Sequence, residues 1–215
     1  MKRRPRILLA DDHCLLLEAF VSLLQPHYNI VGTAENGRRA IELALETSPD
    51  IIILDISMPE LNGMDAYAQL RLRQPDARVI FLTVNEDPDI AAEAIALGAS
   101  AFLLKSSASA ELSLAIESAL AGQTYITPLI LKGKPLSVFL DNSHKPSSGN
   151  LTLRQREVLQ LLAEGKAMKE AARILDITPR TIAFHKYTIM GQLGLNNTAE
   201  LVQYALENHL VAPRG

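Results

Sequence analysis

The sequence predicts an α/β domain built on a five-stranded parallel sheet, followed by an all-α domain. Three observations predict it. Short apolar runs alternate with amphipathic stretches over the first 125 residues and then stop. The last 68 residues carry helical periodicity alone. The charge also changes sign along the chain: residues 1–125 hold 10 Lys+Arg and 17 Asp+Glu, a net of −7, residues 126–147 hold 3 and 1, and residues 148–215 hold 8 and 6, each a net of +2. At 215 residues the chain is long enough for two modest cores. The expected division is 1–125, a linker at 126–147, and 148–215.

The five runs are Arg6–Ala10, Asn29–Ala34, Asp50–Leu54, Arg78–Leu82 and Ala101–Leu104. Ile51-Ile-Ile-Leu54 is the most telling, because an unbroken, β-branched run ending in a turn reads as a strand buried on both faces. Between the runs, Leu16, Phe20, Leu23 and Leu24 follow helix-face spacing, as do Leu112, Ile116, Ala119 and Leu120. Strand–helix alternation at this spacing implies βαβ units with right-handed crossovers, doubly wound in the flavodoxin-like order 2-1-3-4-5.

Such sheets present their ligands at the carboxyl ends of the strands. Asp11-Asp12 follows the first run, Asp55 the third, Thr83 the fourth and Lys105 the fifth. Each has a plainer reading alone: a helix cap for the aspartates, a turn residue for Thr83, a surface lysine for Lys105. Together they converge on one edge. Carboxylates gathered in one crevice repel unless a cation sits among them. An all-oxygen donor set favours a hard divalent ion, and Mg²⁺ keeps waters and bridges to phosphate. Asp55 is then placed as a nucleophile for in-line attack on phosphorus, with Lys105 and Thr83 facing the phosphoryl oxygens.

Thr127-Pro128, Gly133-Lys-Pro135 and Asn142 to Gly149 are turn and linker chemistry, interrupted by apolar islands at Leu129–Leu131 and Leu136–Leu140 that are candidates for a short docking helix. Thr152 with Gln155 reads as a capping box opening a helix with Val158, Leu159 and Leu162 on its face, and Gly165 ends it. A short helix spans Ala167–Leu175. After the Asp176-Ile177 turn, Thr178-Pro179 opens a third helix that Gly194 stops, and a fourth spans Thr198–Asn208. This is the helix-turn-helix plan. On the third helix Ile182 and Ile189 mark an inner face, whereas Arg180, Ala183, Phe184 and Tyr187 lie on another stripe. That stripe either reads a DNA major groove, with Arg180 on phosphate or guanine and Ala183 and Phe184 on thymine methyls, or packs on another protein surface.

Composition excludes other classes. No apolar run approaches a membrane span, and Ile7–Ala10 is too short for a signal-peptide core. A single cysteine, Cys14, leaves no internal disulfide and no thiolate metal cluster, so the cytoplasm is the default location.

Residues 6–122, with Asp11-Asp12, Asp55, Met58-Pro59, Gly63, Thr83 and Phe102-Leu-Leu-Lys105, resemble the receiver domain of two-component response regulators. Leu151-Thr-x-Arg-x-Arg-Glu157, Leu161-Leu-Ala-Glu-Gly165, Lys169-Glu-Ala-Ala172 and Thr181-Ile-x-x-His185 through Leu193-Gly resemble the LuxR-type DNA-binding domain, and the pair resembles the NarL/FixJ family. The resemblance implies that Asp55 takes phosphate from a sensor histidine kinase, that Asp12, Asp55 and the Ser57 backbone carbonyl hold Mg²⁺ directly and Asp11 holds it through water, and that Lys105 and Thr83 engage the phosphoryl group. It makes Phe102 the switch aromatic that turns inward with Thr83, although a buried strand aromatic needs no such role. On the DNA side it implies contacts from Thr178, Arg180, Thr181, Ala183, Phe184, Lys186 and Tyr187 to double-stranded DNA. It further implies a homodimer on a pseudo-palindromic site, paired through Leu201, Ala205 and Asn208 of the last helix. The receiver is expected to inhibit by covering the recognition helix or by preventing that pairing. Ala183 and Gln192 depart from the lysines common in the family. A haloacid-dehalogenase-type phosphohydrolase is disfavoured, because its acid–base aspartate would stand where this chain has Ser57.

Overall fold

The computed structural model describes residues 3–133, 135, 137 and 151–211. The first domain is a parallel sheet of β1 (Arg6–Ala10), β2 (Asn29–Ala34), β3 (Ile51–Leu54), β4 (Val79–Thr83), β5 (Ala101–Leu104) and β6 (Tyr125–Ile126), in the order β2-β1-β3-β4-β5-β6. Side-chain alternation along the strands divides the core in two. Ile7, Leu9, Ile51, Ile53, Ile80, Leu82, Ala101 and Leu103 face α1 (Cys14–Leu24) and α5 (Ala108–Leu120). Leu8, Ala10, Ile52, Leu54, Val79, Phe81, Phe102 and Leu104 face α2 (Gly37–Thr47), α3 (Gly63–Arg71) and α4 (Pro88–Ala96). On α1 the buried face is Leu17, Phe20 and Leu24; Leu23 is exposed, one helical step away from the expected stripe.

The sheet has six strands where five were expected. β6 aligns Tyr125 with Ala101 and Ile126 with Phe102. Thr127 then opens a one-turn helix, α6 (Pro128–Leu131), whose Ile130 is buried in the core beside α4. The first domain therefore reaches Leu131, and the stretch expected to be linker begins inside it. The other island, Leu136–Leu140, and His144 lie outside the described residues, apart from Ser137.

The second domain is α7 (Leu153–Ala163), α8 (Met168–Ile174), α9 (Pro179–Leu193) and α10 (Thr198–Glu207). The caps are those the sequence calls for. Thr152 and Gln155 form a capping box, Thr178 accepts the Thr181 N–H with Pro179 at the first helical position, and Gly194 closes α9 in the left-handed region at φ +68°. Val158, Leu159, Leu161, Ala171, Ile182, Ile189, Leu201 and Ala205 form its core.

Candidate functional site

The carboxyl ends of β1, β3, β4 and β5 meet in one crevice. Asp55 N–H donates to the Ala10 carbonyl at 2.8 Å, and Lys105 N–H to the Thr83 carbonyl at 2.7 Å, so the ladder itself fixes where these side chains emerge. Lys105 Nζ lies 2.7 Å from Asp11 Oδ2 and 2.9 Å from Asp55 Oδ2. Asp11, Asp12, His13 and Asp55 each bring one donor atom within 4.8 Å of the others. Asp55 is only 3% exposed. Burial pushes its carboxyl above the ordinary range, Lys105 opposes that, and Asp11 adds to it. For Lys105 burial pulls the ammonium down, but Asp55 and Asp11 together outweigh burial and hold it above its usual value. The Ser57 backbone hydrogen-bonds the Asp55 carboxylate.

Gly63 makes this packing possible. A Cβ at that position would sit 2.0 Å from the Asp55 carbonyl oxygen, so the chain returns past the aspartate only with glycine there. Asn62, before it, caps α3 by accepting the Asp65 N–H at 2.9 Å.

Two expected members stand apart from the carboxylates. Thr83 is buried at the end of β4, and its hydroxyl oxygen accepts the Asn85 N–H at 3.1 Å. Phe102 is fully buried in register with Phe81, in the layer packed on α2, α3 and α4. Its side chain lies inward here. His13, not singled out from sequence, brings Nδ1 to 2.9 Å from Asp12 Oδ1; its position directly after two aspartates was the available signal.

On α9, Phe184 and Tyr187 are each 66% exposed, Arg180 and Thr178 are exposed, and Ala183 and Thr181 are half-buried on the same side. Lys186 Nζ donates to Thr198 Oγ1 at 2.9 Å, so its ammonium is tethered to the start of α10. Among the described residues, nothing of the first domain buries Arg180, Phe184 or Tyr187. Leu201 and Ala205 are fully buried in the core of their own domain, with only Asn208 of that trio partly accessible. This corrects the expected pairing surface: the i, i+4 face of α10 packs inward on α7.

The domains meet instead through α7 and α3, and through the end of α10. Arg156 Nε pairs with Asp65 Oδ1 at 2.6 Å, Arg38 with Glu157 at 2.6 Å, and His209 Nδ1 lies 3.4 Å from Asn85 Nδ2.

Residues 7–117 match the model of the response regulator receiver domain, and residues 149–205 match that of bacterial regulatory proteins of the luxR family. The chain belongs to the response regulator family. As a response regulator it is similar to the transcriptional regulatory protein MctR of Rhizobium johnstonii, 31% identical over 219 residues and covering 100% of both chains. It is also similar to the transcriptional regulatory protein LiaR of Bacillus subtilis, 34% identical over 209 residues that cover 96% of this response regulator and 99% of LiaR. Among solved structures it resembles RcsB from Salmonella enterica serovar Typhimurium, bound to promoter rprA in the presence of phosphomimetic BeF3−. That match has a TM-score of 0.56 and 26% identity, covering 93% of this chain and 98% of that one. Another RcsB structure holds two dimers bound to two parallel DNAs. This response regulator joins a receiver to a LuxR-type DNA-binding domain and is a phosphorylation-controlled transcription regulator.

Proposed function

We propose that Asp55 accepts a phosphoryl group from a sensor histidine kinase, and that this controls dimerisation and binding to a pseudo-palindromic site on double-stranded DNA. The observation that carries the reading is the buried Asp55 carboxylate, 2.9 Å from Lys105 Nζ, with Asp11 and Asp12 within the same 4.8 Å cluster. An Asp55 oxygen attacks phosphorus while the donor's bond to phosphorus breaks and the donor leaves with the electron pair. Attack needs the ionised carboxylate, which burial disfavours, and Lys105 supplies the opposing charge. Lys105 is placed to hold charge on the product, and Thr83 retains a hydroxyl proton to donate.

Within the cluster, which also holds His13, the carboxylates of Asp11, Asp12 and Asp55 fit Mg²⁺, with Asp12, Asp55 and the Ser57 carbonyl as direct holders and Asp11 as support. Bound there, the ion supplies neutralisation of the transferring group. On α9 the exposed stripe Arg180, Ala183, Phe184 and Tyr187 reads bases, while Thr178, Thr181 and Lys186 sit where phosphates pass. Among the described residues no helix is long and apolar enough to cross a membrane; we place the protein in the cytoplasm because its phosphodonor and DNA are there.

Labelling with acetyl phosphate and Mg²⁺ tests the reading. Wild-type protein should carry a hydroxylamine-labile phosphoryl group and Asp55→Asn none. Undiminished label in Asp55→Asn would overturn the assignment.

A further inference from the structure

Most polar side chains of α9 are turned to the protein itself. The Thr178 and Thr181 hydroxyl oxygens lie 2.9 Å apart and share one hydrogen bond. Thr188 Oγ1 donates to the Phe184 carbonyl at 2.8 Å. The Lys186 ammonium is drawn to Thr198 of α10, and Gln192 Oε1 accepts from Gln155 Nε2 of α7 at 2.6 Å. Lys186, Thr188 and Gln192 also fall to the side of the face that Arg180, Ala183, Phe184 and Tyr187 share at i, i+3, i+4 and i+7. Ile182 and Ile189 occupy the opposite, buried face. That outer stripe therefore carries one guanidinium, one phenol hydroxyl and three apolar surfaces: the Ala183 methyl and the rings of Phe184 and Tyr187.

Two aromatic rings left in water, each 66% exposed, mark a surface that gains by being covered. The Phe184 ring is also steadied: His185 meets it edge to face, with centroids 5.8 Å apart and an interplanar angle of 66°. A ring held before binding loses less freedom on contact. The bases differ in what they ask of such a surface. In the major groove guanine presents acceptors, adenine an acceptor and a donor, and cytosine a donor, all of which need polar partners. Thymine alone adds a methyl group, which needs only an apolar surface to leave water.

We propose that this stripe specifies thymine through its C5 methyl, which Ala183 and the rings of Phe184 and Tyr187 enclose, while Arg180 supplies the positive charge that holds the backbone. The proposal rests on α9 being the DNA-reading helix of a two-fold site. It places sequence preference in burial of methyl groups and not in hydrogen bonds to base edges. Removing one such methyl should weaken binding about fourfold, and removing one from each half-site about fifteenfold.

The test uses the full chain, treated with acetyl phosphate and Mg²⁺, which first selects its site from a pool of random duplexes. Each thymine of the selected site is then replaced in turn by deoxyuridine, which removes the methyl and leaves every hydrogen-bonding group in place. At least one replacement in each half-site should weaken binding about fourfold, and the pair about fifteenfold. Phe184→Ala, which removes an exposed side chain and no part of the core, should bind the thymine and deoxyuridine duplexes more nearly alike. Arg180→Ala should weaken both and keep their ratio. If the site is bound selectively but no replacement changes affinity by about twofold, the methyl reading is overturned and the DNA reading stands. A wild-type ratio in both Phe184→Ala and Tyr187→Ala would overturn it as well. Failure to select any sequence would overturn the DNA reading and this inference with it, and loss of self-association in Phe184→Ala would then assign the stripe to a protein surface.

Discussion

Replacing Gly63 by alanine tests how closely Asp55, the proposed phosphoacceptor, depends on its loop. The added Cβ would meet the Asp55 carbonyl oxygen at 2.0 Å, the Asp55 carbonyl carbon at 2.9 Å and Ile56 Cα at 3.1 Å. All three are backbone atoms, so no flexible side chain can swing aside. Real Cβ contacts do not fall under 3.0 Å, so the loop must open by about 1 Å. Overpacking of this kind costs about 1–3 kcal/mol, a fall in Tm of roughly 3–10 °C for a chain of this size. A shift of about 1 Å at Asp55 should also slow acetyl phosphate labelling by about tenfold or more. Thermal unfolding by circular dichroism and labelling rate are the two assays. Gly122→Ala is the control: its φ is +73° but nothing lies within 4 Å of an added Cβ. It should lose about 1–2 kcal/mol from backbone strain alone and label normally. Wild-type Tm and labelling rate in Gly63→Ala, or an equal loss of labelling in Gly122→Ala, would refute the reasoning.

Three further outcomes are expected. Phe184→Ala and Tyr187→Ala should lower the preference for a selected DNA site over random DNA, whereas Arg180→Ala should weaken binding to both and reduce the salt slope by about one, as read by titration at several salt concentrations. Leu201→Ala should cost about 2–5 kcal/mol of unfolding stability, because Leu201 is fully buried in its own domain; a stable variant with impaired pairing would restore α10's inner face to the dimer. Burial holds the Asp65 carboxyl above its ordinary range, with Arg156 opposing. The folded state therefore binds the extra proton, and stability falls as pH rises from the ordinary carboxylate range through the raised value. Arg156→Met removes the opposing charge and should widen the gap between denaturation midpoints at pH 5 and pH 7 beyond that of wild type.

The receiver was legible because most of its strands are short apolar runs buried on both faces and its functional residues sit at strand ends, where topology alone brings them together. β6 escaped notice because two residues, Tyr125 and Ile126, cannot show a period, and Thr127-Pro128 directly after them reads as a turn. Leu201 and Ala205 show the limit of helical spacing. It groups residues on one face but does not say whether that face meets its own core or a second chain. Glu157 and Gln160 were invisible for another reason. Polar residues on an amphipathic helix read as solvated, and their partners Arg38, Met58 and Asn62 lie about a hundred positions away. The one available signal was Gln160 set within Leu159, Leu161 and Leu162, where a polar residue needs a buried partner.

If Asp55 is the phosphoacceptor, as proposed, charge balance at the crevice says which parts can respond to phosphorylation. Asp11, Asp12 and Asp55 against Lys105 leave two negative charges, which a divalent ion cancels. A phosphoryl group on Asp55 adds negative charge again, and the surroundings must answer it with donors. Lys105 is already committed to both carboxylates. Phe102 is fully buried in a close-packed layer and has no inward space left to take. The groups with freedom to respond are the Thr83 hydroxyl proton and the loop after Asp55. Thr83 holds Asn85 N–H, and Asn85 Nδ2 lies 3.4 Å from His209 Nδ1, just beyond the end of α10. The loop is held by Gln160 and Glu164 of α7. Both responsive groups therefore end on the DNA-binding domain, one at its first helix and one beyond its last. On that reading, a phosphoryl charge on Asp55 acts on the interdomain contact through hydrogen bonds at both ends.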